Sequence, residues 1–182
     1  MTKRQATARL TLPVGERDHV RGPASAPVTL VEYGDYECPH CGRAYPIVKQ
    51  IQEAMGRRLR FVFRNFPLRE SHAHAQSAAE AAEAAGAQGM FWEMHDRLFE
   101  RQFALDDVSL VEYALELGLD VERFRRELEG RVYEPRVRED FRSGVISGVN
   151  GTPTFFVNGE RYDDEWDAAT LLAALQRAGA GA

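Results

Sequence analysis

The spacing of apolar positions along this chain changes period several times, and each change marks an element. Val28-Thr29-Leu30-Val31-Glu32-Tyr33 is apolar at nearly every position and rich in β-branched and aromatic residues, which predicts a strand buried on both faces of a parallel or mixed sheet. Glu32 is its one acidic interruption. Pro39 suits the first turn of a helix, apolar positions from Tyr45 to Met55 recur at helical spacing, and Gly56 marks the stop. Residues 59–63 form a second strand, so the first third reads β-α-β. Between about 71 and 148 the strand signal vanishes. Nine of the eighteen residues from Ser71 to Gln88 are alanine, the strongest helix former, and Gly86 and Gly89 break that helix before Phe91-Trp92-Glu93-Met94-His95 starts the next. Ser109 opens a helix that ends near Gly118, and residues 121–128 and 134–146 predict two more. Thr154-Phe155-Phe156-Val157 returns to strand, Asn158-Gly159 is a strong two-residue hairpin turn, and Arg161-Tyr162 begins the return strand. An amphipathic helix over about 167–177 closes the pattern. Ahead of the first buried strand, residues 9–14 alternate and predict an edge strand, and Gly15, Gly22, Pro23 and Pro27 predict an irregular lead-in over 1–25. The expected layout is one α/β domain over 1–182, in the order β-α-β, helical insertion at about 68–148, β-β-α.

Composition narrows the function. With 44% apolar and 28% charged residues and a net charge of −5, the 182-residue chain has the profile of one soluble globular domain. A chain of this length buries roughly 70% of its unfolded surface and needs neither disulfide nor metal to hold its fold. Its two cysteines therefore call for another explanation. A pI near 5.6 excludes nucleic acid as the main partner. The longest uninterrupted apolar run, residues 171–175, falls far short of the about 20 residues a membrane-inserted helix requires. Lys3, Arg4 and Arg9 resemble the start of a secretory signal, but Leu10-Thr11-Leu12-Pro13-Val14 is too short for its apolar region and Glu16 follows at once. As written, the chain is expected in the cytoplasm; a chain whose signal had been removed would look the same and lie outside it.

Both cysteines stand in Cys38-Pro39-His40-Cys41, at the junction of a buried strand and a helix. A helix start presents free backbone N–H groups and the positive end of the helix dipole, which favour a thiolate at Cys38. The spacing of three places Cys41 one turn on, within reach of a disulfide. His40, between them, can add positive charge or an N–H donor to the same sulfur, stabilising the reduced thiolate and making the disulfide more oxidising. A C-x-x-C next to β-α-β is the known signature of a thioredoxin-like redox pair. The competing readings are half a zinc site, with His19, His72, His74 and His95 as the remaining ligands, or two inert core cysteines. His72 and His74 lie two apart on a predicted helix, where their side chains diverge.

In two stretches the sequence resembles the DsbA-like branch of the thioredoxin superfamily. APVTLVEYGDYECPHC, beginning at Ala26, is similar to that family's first core strand running into its active-site helix. Gly151-Thr152-Pro153-Thr154-Phe155-Phe156-Val157-Asn158-Gly159 is similar to the loop that faces the cysteine pair. The resemblance covers about 26–177 and implies a thioredoxin fold, a central mixed sheet flanked by helices, with an inserted all-helical subdomain. It also implies that Cys38 is the solvent-accessible nucleophile and Cys41 the buried resolving thiol. Pro153 would be cis, and Thr152 would present its backbone to a bound cysteine-containing peptide. Glu32, six residues before Cys38, matches a buried acid that moves protons during exchange. Independently, a carboxyl in an apolar strand is costly to bury ionised, so its pKa should rise.

The expected activity is thiol-disulfide exchange with cysteine-containing proteins or peptides, with Cys38, Pro39, His40, Cys41 and Glu32 at the centre, Thr152 and Pro153 binding substrate, no cofactor or metal, and an unidentified recycling partner. The alternatives are a cytoplasmic disulfide reductase of the same fold and a module that holds a metal on the cysteine pair; a related kappa-type glutathione transferase is disfavoured by the intact pair. Asp35 and Glu37 are expected to be exposed and to offset His40, while His72 and His74 are expected to be solvated. Phe91, Trp92, Met94 and Phe99 are expected in the core rather than in a peptide groove. Asp163-Asp164-Glu165-Trp166-Asp167 is expected to cap the last helix.

Overall fold

The computed structural model describes residues 8–181, so Lys3 and Arg4 lie outside it. The elements follow in the order β1 (His19–Arg21), β2 (Val28–Gly34), α1 (Pro39–Met55), a short 3-10 turn, β3 (Leu59–Asn65), α2 (Ala75–Gly86), α3 (Phe91–Glu100), α4 (Asp107–Glu116), α5 (Val121–Glu129), α6 (Glu134–Ile146), β4 (Thr154–Val157), β5 (Glu160–Tyr162) and α7 (Ala168–Ala180). The five strands form one mixed sheet in the order β1-β3-β2-β4-β5. Only β2 and β3 run parallel, as a β-α-β crossover through α1 requires. β2 lies at the centre with all seven residues buried, which is why its sequence reads as continuously apolar. Across it, Glu32 stands level with Phe63 of β3 and Phe155 of β4. The Asn158-Gly159 turn has positive φ at both residues, the geometry that matches the twist of a hairpin.

Two expectations need correction in the lead-in. Residues 9–14 do not form a strand: Arg9 makes one isolated bridge to Glu160, and the chain then leaves the sheet. Pro13 and Gly15 interrupt the alternation before a ladder can form. The edge strand is instead His19–Arg21, inside the stretch read as irregular, where it pairs antiparallel with the otherwise open edge of β3. The helix predicted from Ser71 begins at Ala75, because His72 and His74 are engaged elsewhere, as described below.

Helices cover both faces of the sheet. α1 and α7 pack together on one face with Leu171 and Leu175 buried beneath them. α6 crosses the other so closely that a Cβ on Gly144 would stand 2.7 Å from the Phe66 ring and 3.0 Å from that of Tyr33. Phe91, Met94 and Phe99 are core residues, with Trp92 packed against them. Asp167 caps α7, accepting from the N–H groups of Ala169 and Thr170.

At the end of β3, the apolar junction between the helical insertion and the sheet gives way to a polar one. Asn65, at the end of β3, donates its backbone N–H to Asp140 Oδ2 of α6 at 3.0 Å and its side-chain amide to Glu83 Oε1 of α2 at 2.8 Å. Arg17 and Arg136 both donate to Asp140 Oδ1, and His19 reaches Glu83. Next to it, fully buried Arg64 donates to both oxygens of Asp18, to the carbonyls of Leu12 and Pro13 and to the Tyr33 hydroxyl, fastening the lead-in to the sheet.

Candidate active site

Cys38 occupies the N-cap of α1, in extended conformation with no side-chain cap. Pro39 takes the first helical position, where its missing N–H costs nothing. The N–H groups of His40 and Cys41 are thereby free, and both stabilise charge on Cys38 Sγ. Cys41 lies one turn on with 0% of its surface exposed, against 4% for Cys38, and its sulfur accepts from the Asp35 N–H at 3.4 Å. Both are free thiols. The accessible nucleophile implied by the sequence is thus a largely covered one.

Opposite them lies the Thr152-Pro153 loop, and that peptide bond is cis. As a thiol, Cys38 donates to the Thr152 carbonyl at 3.5 Å. The Thr152 hydroxyl is buried without a hydrogen-bond partner, free to donate to the Cys38 thiolate, whose pKa it lowers.

The environment drives the two thiols apart. The hydrogen bond from Cys41 is the largest influence on Cys38; with Thr152 and the helix-start N–H groups it outweighs burial and brings the thiol down to about 5. Burial pushes Cys41 well above the ordinary thiol range, aided by its bond to Cys38 and the charge on Glu32. Glu32 itself is 3% exposed, its Oε1 lacks any partner, and burial followed by the nearby Cys38 charge raises it to about 8.

Three expectations fail here. The His40 ring does not reach the sulfur; it is exposed, and its Nδ1 accepts from Arg43 at 2.7 Å, so only the His40 backbone acts on Cys38. Asp35 is buried rather than exposed, because its oxygens accept from the N–H groups of Glu37 and Leu68 and pair with His72 Nδ1 at 2.8 Å. His72 is thus held rather than solvated, whereas His74 stays exposed, as expected, with its N–H and ring on Glu37. Two acids two residues apart thus hold two histidines two residues apart across 37 positions. That matched spacing is the one sequence signal by which the clasp could have been found.

A family model described as thioredoxin matches residues 15–177, which include every residue of this site. This chain belongs to the thioredoxin family. Its fold is DsbA-like: it superposes on a thioredoxin-like oxidoreductase from Silicibacter pomeroyi with a TM-score of 0.81 at 29% identity, covering 92% of this chain and 95% of that one. BdbD from Bacillus subtilis, in its oxidised form, gives 0.82 at 24% identity over 96% and 98%. Wolbachia pipientis α-DsbA1 gives 0.78 at 19% over 94% and 95%. Among curated sequences, the Na(+)/H(+) antiporter NhaA 1 of Salinispora arenicola is 50% identical over 94% of this chain, and the NhaA of Herminiimonas arsenicoxydans 47% identical over 88%. The chain spans only about a quarter of the length of these relatives, 26% and 25%. Among the described residues, no helix is long and apolar enough to cross a membrane.

Proposed function

We propose that this chain is a protein thiol-disulfide oxidoreductase in which Cys38 exchanges and Cys41 resolves. The reading rests above all on the opposed acidities of two thiols one helical turn apart. In the oxidising direction a substrate thiolate attacks Cys38 Sγ of the disulfide, the Cys38–Cys41 bond breaks, and Cys41 leaves with the electron pair. Glu32, protonated below about pH 8, gives that sulfur its proton in this reading. A second substrate thiolate then attacks the substrate sulfur of the mixed disulfide and releases Cys38 as a stable thiolate. The substrate is oxidised by two electrons, and a recycling partner must remove them. A stabilised Cys38 thiolate favours the reduced enzyme and hence the oxidant direction.

Equilibrating the protein in graded glutathione buffers and quantifying the Cys38–Cys41 disulfide tests this directly. The expected couple is more oxidising than the glutathione pool, and Cys38→Ser and Cys41→Ser each abolish turnover of an unfolded dithiol substrate. A strongly reducing couple would favour the reductase instead. Stoichiometric zinc or copper in elemental analysis of the purified protein, with no exchange activity, would replace both readings by a metal module.

A further inference from the structure

We propose that Gln102, in the connection between α3 and α4, is a positioning residue that sets the acidity of Cys38 from the helical insertion. This rests on the function proposed above and names a further residue of the same site. The Gln102 side-chain amide donates both its hydrogens to the active-site loop, to the carbonyl of Tyr36 at 2.7 Å and to that of Cys38 at 3.0 Å. Its carbonyl end rests over the first turn of α1. A Cβ on Gly42 would meet Gln102 Oε1 at 2.0 Å, Cδ at 2.7 Å and Nε2 at 3.1 Å, so the space beside the cysteine pair that glycine leaves open is the space this amide fills.

The support behind Gln102 is built to hold it. The turn that carries it is closed by the Ala104 N–H on the Arg101 carbonyl, and the Tyr113 hydroxyl donates to the Ala104 carbonyl at 2.7 Å. Leu105, immediately after, is buried. Gln102 thus reaches the cysteine loop from a fixed point.

Its effect on the sulfur is indirect. The Cys38 carbonyl already accepts the first helical bond, from the Gly42 N–H. A second donor fixes the peptide planes on either side of Glu37 and Cys38, and so fixes Sγ where the His40 and Cys41 N–H groups converge on it. Loss of the amide should therefore raise the Cys38 pKa and shift the couple toward disulfide.

Gln102→Met keeps the length of the side chain and removes the donors; Gly42→Ala leaves the donors but displaces them. Titrating the thiolate by its ultraviolet absorbance in each variant, in the double variant and in the parent tests the idea, with thermal melting as control. The expected result is an upward shift of at least about half a pH unit in each single variant, about threefold in acidity. The double variant should shift no further than Gln102→Met alone, because both changes remove one contact. The glutathione equilibrium should move toward disulfide in step. A titration unmoved in Gln102→Met, even with a lowered melting point, would overturn the inference, as would additive shifts. If the parent's Cys38 has ordinary thiol acidity, the proposed function and this inference fall together; if it is acidic and both variants leave it so, only the inference falls.

Discussion

Glu32 and Cys38 give the site opposite responses to pH. The Glu32 carboxyl keeps its proton to about pH 8 in the folded reduced protein and loses it near 4.5 when unfolded. Unfolding releases a proton in that window, so this group makes the protein less stable as pH rises from about 4.5 to about 8. Cys38 ionises at about 5 when folded and near 9 when unfolded, so its contribution grows as pH rises through that range and is lost toward 5. In Glu32→Gln the first response is absent. Its stability relative to the parent should climb by about 4 kcal/mol between pH 4.5 and 8, measured by urea unfolding at each pH. For Cys38→Ser, the deficit against the reduced parent should widen from pH 5 to 9 in the same assay. In the disulfide form Cys38 carries no charge, so Glu32 should titrate lower than in the reduced form, which carboxyl NMR would detect. At this scale the sequence was legible wherever the signal was local: two cysteines at spacing three, an acid inside an apolar strand, a Gly-Thr-Pro loop before a strand. It was illegible where a side chain has a choice of distant partners. His40 turns to Arg43 instead of the sulfur, and Asp35 is buried because His72 and the Leu68 N–H come to it.

Among the elements, periodicity located α1, β2, β3 and the β4-β5 hairpin because each has its stop signal in its own sequence. The edge strand was misplaced because three residues, His19–Arg21, form a strand only by virtue of the open edge beside them. The closeness of α6 to the sheet was equally hidden, since a glycine in a helix reads as a weakness rather than as a contact. Gly144→Ala should cost about 1–3 kcal/mol by overpacking Phe66 and Tyr33, and chemical denaturation would measure it. The Cys38 titration should not change. Arg64→Met strands the fully buried Asp18 carboxylate and should cost about 3–5 kcal/mol. Removing that charge as well, in Arg64→Met with Asp18→Asn, should recover part of the loss; no recovery would mean that the carbonyls of Leu12 and Pro13, not the ion pair, carry the fastening.

On the scale of the molecule, an α-helical insertion could be attached to a sheet as a loosely tethered lobe or as a continuation of its core. The junction at Asn65 decides between these. Swinging α2 and α6 away from β3 would strand Asp140 and Glu83, both buried carboxyls, without the amide that Asn65 supplies, and would separate Asp140 from Arg17 in the lead-in. Such an opening costs far more than parting two apolar surfaces of the same size. The molecule is therefore latched where a hinge would have to be. The insertion, and with it Gln102 over the cysteine loop, keeps a fixed place relative to the sheet. In native-state hydrogen exchange the Asn65 amide should exchange only through global unfolding, as slowly as the amides of central β2; early exchange there would reveal a breathing lobe.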